Sequence, residues 1–163
     1  KNYREAYNLF ACSGILFNHE SPLRSVNFVS RKITHNLSLI LSNKKKKIEL
    51  GNINSKRDWG HAKDYVYAMW KMLQLKKPQD FVIGTGNLHS VKDFLNIAFN
   101  YVNLDYKKYI KINKKFYRPY DKFYLLADTK KAKKTLKWRP KISFKSLVID
   151  MVKKDLLTIK KND

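Results

Sequence analysis

Short apolar runs alternate along this chain with longer segments whose apolar residues recur every three or four positions. Runs at 15–17, 48–50 and 81–83 have the length and composition of buried strands. Two stripes at helical spacing mark longer elements: Phe28, Ile33, Leu37 and Ile40, then Ala62, Val66, Met69, Trp70 and Leu73. Because predicted strands and helices interleave, the sequence favours an α/β fold.

Local signals predict where some of these elements begin and end. Residues 2–11 are predicted to be the end of a helix, and Gly14 suits its C-terminal stop. Ser90 is followed three positions later by Asp93, which predicts a capped helix start. The length of 163 residues suits one domain, or one and a fraction.

The chain carries 35 Lys and Arg residues against 13 Asp and Glu residues, a formal net charge of +22. This excess admits two interpretations, a nucleic-acid footprint or lysines spread over a solvated surface. The lysines stand in short runs, whereas proteins that read DNA grooves favour arginine with polar amides. We therefore favour the solvated surface, and in either case expect the charge to attract polyanionic ligands.

Several classes of protein and site are disfavoured by the composition. No apolar run approaches the roughly 20 residues of a membrane helix, so we expect no membrane partner. Cys12 is the one cysteine, which excludes an internal disulfide framework and fits a reducing, cytoplasmic compartment. His35, His61 and His89 share no metal-ligand spacing, so no metal site is expected.

The segment 57–66, Arg-Asp-Trp-Gly-His-Ala-Lys-Asp-Tyr-Val, joins an arginine to the start of a striped helix. An arginine side chain presents a planar fork of donors that fits phosphate oxygens. Placed where a strand ends, Arg57 could hold a diphosphate while the following helix forms the wall of a pocket.

A second segment, 16–22, ends a short apolar run with a cluster of polar groups. Ligands of open α/β sheets lie outside the carboxyl ends of the strands, where this cluster is predicted to be. Asn18 offers a donor and an acceptor, and His19 offers two ring nitrogens. A polar loop that only satisfies its own backbone would use the same residue types.

Two further patterns resemble functional motifs but are given other interpretations. Tyr67 and Lys71 match a Tyr-x-x-x-Lys pattern, which we attribute to chance because it lies inside the helix after Arg57. Residues 84–86, Gly-Thr-Gly, lack the third glycine and the downstream acid of a dinucleotide-binding loop. This segment is predicted to be a turn.

Segments 57–66 and 18–22 resemble the GDP-mannose 4,6-dehydratase family, within the extended short-chain dehydrogenases. The resemblance runs from Asn2 to about Leu156 and covers only the C-terminal half of the family's enzymes. It implies the C-terminal part of an NAD(P)-binding Rossmann-type fold with most of the smaller α/β substrate-binding domain. Residues 1–25 would be a remnant of the Rossmann domain, to which later elements return, and the rest of 1–163 would bind the sugar nucleotide. The N-terminal cofactor-binding half would be absent.

The resemblance also implies roles for individual residues. His19 and Arg24 match cofactor-binding positions for NADP, and five further positions match substrate-binding residues: Asn18, Lys32, Arg57, Arg118 and Asp121. Lys32 could equally be a solvated lysine at a helix start. No catalytic residue is expected in this chain, because the family's catalytic Thr or Ser, Glu, Tyr and Lys would lie upstream.

The chain departs from the family's pattern at three of its positions. Leu23 stands where the family has the first of two arginines beside a neighbouring subunit's NADP. Asp121 replaces a glutamate and Lys122 a valine. These changes put part of the cofactor and nucleotide contacts in question.

By resemblance, the whole enzyme is an NADP-dependent lyase that converts GDP-mannose to GDP-4-keto-6-deoxymannose, as in GDP-fucose biosynthesis, and it is a dimeric or tetrameric homo-oligomer. This chain would supply the substrate-binding half and would be inactive alone. The alternative hypothesis is a non-catalytic basic module that binds nucleotide or nucleic acid, which the charge of +22 supports. Nucleic acid is the less favoured partner.

Overall fold

The computed structural model describes residues 1–117 and 124–161, with side chains to Ile159. The described helices are α1 (Asn2–Tyr7), α2 (Val29–Leu41), α3 (Ala62–Leu73), α4 (Val91–Asn100), α5 (Lys130–Thr135) and α6 (Phe144–Lys161). The described strands are β1 (Gly14–Leu16), β2 (Asn18–Glu20), β3 (Ile48–Leu50), β4 (Lys56–Arg57), β5 (Trp59–His61), β6 (Phe81–Ile83), β7 (His89–Ser90) and β8 (Ile110–Ile112). Single 3-10 turns precede and follow β8.

The strands pair mainly in parallel, as a crossover α/β fold requires. β1 pairs with β6, β2 with β5 and β3 with β8, all in parallel, whereas β4 and β7 form an antiparallel pair. Parallel neighbours need long connections, which α2, α3 and α4 provide. The predicted α/β class is confirmed.

Two groups of buried side chains hold the elements together. The larger joins α2, α4 and α6 to β3 and includes Trp59, whose ring stacks on Phe144 at a centroid distance of 5.7 Å. The smaller joins α3, α5 and β6 around Trp138. The indole N–H of Trp138 donates to the Asp64 carbonyl at 3.0 Å, so this buried ring has a polar partner as well as apolar neighbours.

A buried ion pair links α2 to α6. The Arg31 guanidinium donates to Asp155 from Nε at 2.8 Å and approaches it through Nη2 at 2.7 Å. Asp155 is 1% exposed and also accepts a hydrogen bond from Thr34 Oγ1. Breaking such a pair on one side leaves a buried charge without compensation, so this contact fixes how the two helices pack.

The predicted boundaries hold at some ends and are wrong at others. The capped start of α4 is confirmed, since Ser90 Oγ accepts from the Asp93 N–H at 3.0 Å and Asp93 accepts from the Ser90 N–H at 2.8 Å. The first helix, by contrast, ends at Tyr7 and not near residue 11. Asn8 has φ of 49°, a left-handed conformation that asparagine tolerates, so the helix stops before Gly14 is reached.

The predicted core stripe of the helix after Arg57 is wrong. Val66 and Trp70 are 61% and 54% exposed, whereas Tyr65, Ala68 and Met72 are buried. The buried face is therefore displaced by one residue around the helix, about 100°. Apolar side chains lie on more than one face of this helix, so their spacing alone did not identify the face that packs on β6.

The surface beside α1 and β1 is also apolar. Tyr3, Tyr7, Leu9, Phe10 and Ile15 are all exposed, and in the described residues β1 has a strand partner on one edge. Among these residues, no helix is both long enough and apolar enough to cross a membrane.

Asp80 ties this N-terminal segment to the rest of the molecule. Its carboxylate accepts from the Ser13 N–H at 2.8 Å and from Arg4 Nη2 at 2.7 Å. Arg4 also donates through Nη1 to the Pro78 carbonyl at 2.9 Å. The Ser13 hydrogen bond, helped by Arg4, holds the pKa of Asp80 below its usual value.

Lowering the pH should therefore weaken the attachment of α1 and β1 to the rest of the molecule. Because the pKa of Asp80 is lower in the folded chain, its stabilisation is complete above the unfolded value of about 3.9 and is lost as pH falls through the folded value. Hydrogen exchange should show loss of protection at the Ser13 amide over that range. Asp80→Asn should remove this pH dependence. Asp105→Asn is the control, because Asp105 accepts from the Lys107 N–H instead. Protection of the Ser13 amide that does not change with pH would contradict the prediction.

Candidate functional site

A cavity of about 450 Å³ opens between the end of β3, the start of α2 and the β4–β5 segment. Three predicted substrate-binding residues line it: Asn18, Lys32 and Arg57. Phe28, Trp59 and Phe116 give it apolar surface. The mixture of cations, an amide and aromatic rings suits a ligand with both a charged part and a flat or apolar part.

The strand pairing explains why residues from distant parts of the chain meet here. Asn18 begins β2 and lies opposite Trp59 in the parallel pair of β2 and β5. Arg57 ends β4, with one residue between it and the start of β5, and its Nη1 donates to the Lys56 carbonyl at 2.7 Å. Lys32 lies in the first turn of α2. The structure thus brings together three positions that span 40 residues, 18–57, of the sequence.

Lys32 is held at the cavity wall by an aromatic ring. Its Nζ lies 4.1 Å from the centroid of the Phe116 ring, a favourable position for a cation over an aromatic face. Burial lowers the pKa of Lys32, and the charge of Lys45 lowers it further, while Glu49 opposes both. A bound anion would offset the two effects that lower the pKa, so this side chain would gain from binding phosphate.

Glu20 is a buried carboxylate in the cavity lining that the sequence analysis missed. Ser30 Oγ donates to it at 2.6 Å, and Arg24 Nε lies 3.3 Å from it. Burial raises the pKa of Glu20, and the Ser30 hydrogen bond and the charges of Arg24 and His19 oppose that rise. Nothing in the local pattern marks it, because its burial depends on α2 packing over β2.

The two predicted cofactor-binding residues lie outside the cavity lining. The His19 ring lies 5.3 Å from the ring of Tyr65, and its Nδ1 lies 2.9 Å from the Phe17 carbonyl oxygen. The Arg24 guanidinium lies 3.6 Å from the centroid of the Phe28 ring. Neither side chain lines the cavity, but both are next to it: His19 follows Asn18 in β2, and Arg24 contacts the lining residues Glu20 and Phe28. The other two predicted substrate contacts, Arg118 and Asp121, lie outside the described residues.

Asp58 is a second residue that the sequence analysis did not single out. Its carboxylate is 1% exposed and accepts from the backbone N–H groups of Thr85 and Gly86, each at 2.8 Å. The Gly-Thr-Gly segment is thus a turn, as predicted, and its donors are occupied by an internal carboxylate. No local signal marked Asp58, because its partners are distant in sequence.

The other residues considered in the sequence analysis make structural contacts outside the cavity. Tyr67 is exposed and stacks on Trp70, and Lys71 Nζ donates to the Leu136 carbonyl at 2.9 Å. His61 caps α3 by accepting the Lys63 N–H at 3.1 Å, and its Nε2 lies 3.2 Å from Asp150. Over 1–117 and 124–161, no three His, Cys, Asp or Glu residues are grouped closely enough to hold a metal ion.

Two solved structures with this fold contain a bound nicotinamide dinucleotide. RMD from Pseudomonas aeruginosa, complexed with NADPH, superposes with a TM-score of 0.84 at 12% identity, over 96% of this chain and 51% of that one. dTDP-glucose 4,6-dehydratase from Bacillus anthracis, in complex with NAD, gives a TM-score of 0.80 at 20% identity, over 99% and 48%. With the parallel strand pairs, these likenesses show that the chain has the α/β fold of these proteins.

Sequence comparison identifies the family within that fold. The model of the GDP-mannose 4,6 dehydratase family matches residues 1–151, so the chain belongs to this family. GDP-mannose 4,6 dehydratase 1 of Arabidopsis thaliana is 53% identical over 155 residues, 95% of this chain and 43% of the relative. The enzymes of Dictyostelium discoideum and Homo sapiens are 49% and 44% identical over 99% of this chain. The chain spans about half the length of these relatives.

Proposed function

We propose that this chain is the substrate-binding half of an NADP-dependent GDP-mannose 4,6-dehydratase. The observation that supports this most is the cavity that Asn18, Lys32 and Arg57 share, which has the charge and size for a nucleotide diphosphate. Residues 1–25, with later strands and helices that return to them, would be a remnant of the Rossmann domain, and the rest would hold the sugar nucleotide. The assembled enzyme would be a cytoplasmic homo-oligomer that converts GDP-mannose to GDP-4-keto-6-deoxymannose.

The side chains of the cavity have complementary tasks in this proposal. Arg57 would hold two diphosphate oxygens through its planar fork, and Lys32 would add a point charge. Asn18 would fix a ligand hydroxyl or amide through its donor and acceptor. Fixing the sugar in this way favours reaction by orientation, which can contribute roughly 7–11 kcal/mol at best. Arg118 and Asp121 are proposed as further contacts by resemblance.

The residues proposed to contact NADP fit an anionic cofactor only in part. Arg24 supplies a cation, but its Nε already lies 3.3 Å from the Glu20 carboxylate, although it makes no hydrogen bond within the described residues. However, the Gly-Thr-Gly turn cannot hold a pyrophosphate, because Asp58 already occupies its N–H groups. NADP supplies a hydride acceptor and donor when bound. We therefore propose that His19 and Arg24 contribute to a cofactor site that another polypeptide segment completes.

Calorimetry on this chain tests the proposal. GDP and GDP-mannose should bind and compete with each other, whereas NADP alone should bind far more weakly. A salt series tests the alternative of a basic nucleic-acid-binding module, since nucleic-acid binding weakens steeply as counterions are released. Tight, strongly salt-dependent RNA binding that GDP does not block, with no GDP affinity, would contradict the proposal.

A further inference from the structure

Asp58 occupies the single position between two strands that pair with different partners. Arg57 ends β4, which is antiparallel to β7, and Trp59 begins β5, which is parallel to β2. Both neighbours line the cavity, whereas Asp58 does not. The direction of the backbone at this one residue therefore determines where the Arg57 guanidinium lies relative to the cavity.

Four hydrogen bonds fix that direction. Oδ1 of Asp58 accepts from the Thr85 N–H at 2.8 Å and from Thr85 Oγ1 at 2.6 Å. Oδ2 accepts from the Gly86 N–H at 2.8 Å and from the Ala127 N–H at 3.3 Å. The side chain thus joins β4 and β5 to two other parts of the chain, and every carboxylate lone pair has a donor.

The turn that receives Asp58 is built for this contact. A Cβ atom at Gly84 would lie 2.3 Å from Ala127 Cβ and 3.1 Å from Asp58 Oδ2, so a side chain there would displace one of them. Gly86 has φ of +76°, which glycine adopts without strain. Successive N–H groups in such a turn form a concave site for an anion, here an internal one.

We propose that Asp58 is a positioning residue for the diphosphate of the nucleotide sugar, acting through Arg57. This inference rests on the proposed function, since it takes the ligand to be a nucleoside diphosphate. Asp58 touches no ligand. It holds the Arg57 backbone in the position that keeps this residue in the cavity lining, so that little order is lost on binding.

Asparagine cannot replace Asp58 in this role despite its equal size. Its amide nitrogen would donate two hydrogens toward the Gly86 and Ala127 N–H groups, which are donors themselves. At least one buried N–H would lose its acceptor, and the segment 57–59 would move to relieve it. Thr85→Val is milder, because it removes the hydroxyl, which donates to Asp58 and accepts the Asn87 N–H, but keeps the backbone hydrogen bonds to Asp58.

A double-mutant cycle on this chain tests the inference, with GDP as the probe. Asp58→Asn should weaken GDP binding about tenfold in the native background and leave it unchanged once Arg57 is alanine. Thr85→Val should show a smaller loss of GDP affinity with the same dependence on Arg57. It replaces Asp58→Asn in the cycle if that variant does not fold. Asp155→Asn is the matched control, because Asp155 is equally buried but joins α2 to α6.

The outcomes separate the inference from the proposed function. An equal loss in both backgrounds means that Asp58 only stabilises the fold, and it overturns the inference. The inference is also overturned if folded Asp58→Asn binds GDP with native affinity, or if Asp155→Asn loses GDP affinity in a way that depends on Arg57. If the native chain binds no GDP, the proposed function fails first and the inference fails with it.

Discussion

Arg57→Ala should weaken GDP binding by this chain by about tenfold or more. A hydrogen bond between a charged donor and a charged acceptor contributes about 1.5–3 kcal/mol, which corresponds to that factor in affinity. Calorimetry at constant salt provides the measurement. Arg139→Ala is the matched control, since Arg139 is an exposed arginine outside the cavity lining and should change little.

The same experiment extends to Arg118, for which the family resemblance alone makes the prediction. Arg118→Ala should lower GDP affinity to a similar degree. If both variants bind GDP like the native chain, the two arginines do not contact the diphosphate, and the cavity would need another ligand.

The largest expected effect is on catalysis: the 163-residue chain should form no GDP-4-keto-6-deoxymannose from GDP-mannose, even with NADP present. Hydride transfer requires the cofactor to be held against the sugar, and the Gly-Thr-Gly donors are already used by Asp58. Proton transfer requires an acid or base within hydrogen-bond reach of the sugar. Glu20 lines the cavity, but Ser30 and Arg24 already engage its carboxylate, and the Tyr67–Lys71 pair does not line the cavity.

The assay compares the chain alone with the chain co-expressed with the N-terminal half of the Arabidopsis relative. Product should form only in the second case, and the Arg57→Ala variant should reduce it there. Product from the chain alone would reveal a catalytic centre within 1–163. Tyr67→Phe would then be the first variant to measure, because that tyrosine belongs to the pattern attributed here to chance.

The sequence was most informative where the structure depends on neighbouring residues. The Ser90–Asp93 cap and the Gly-Thr-Gly turn depend on spacings of three residues or fewer, and both were predicted. The alternation of strands and helices sufficed for the α/β class. Family resemblance supplied the cavity residues Asn18, Lys32 and Arg57, which composition alone would have left as ordinary polar positions.

Predictions failed where long-range packing decides the outcome. The buried face of α3 depends on Trp138, which lies 65 residues beyond the end of that helix at Leu73. Glu20 is buried where α2 packs over β2 and Ser30 of that helix donates to it. Asp58 finds its donors 27 or more residues away, at Thr85, Gly86 and Ala127. No local pattern contains these partners.

Because a single residue separates β4 from β5, the fold does not tolerate a change in the length of this segment. The registers on its two sides are set independently, Arg57 opposite His89 and Trp59 opposite Asn18. Side chains alternate between faces along a strand, so one inserted or deleted residue would have to shift one of these registers and turn its side chains over. Either shift would remove Arg57 or Trp59 from the cavity. Loops elsewhere can change length as relatives diverge, but here a change of one residue would reach the ligand directly.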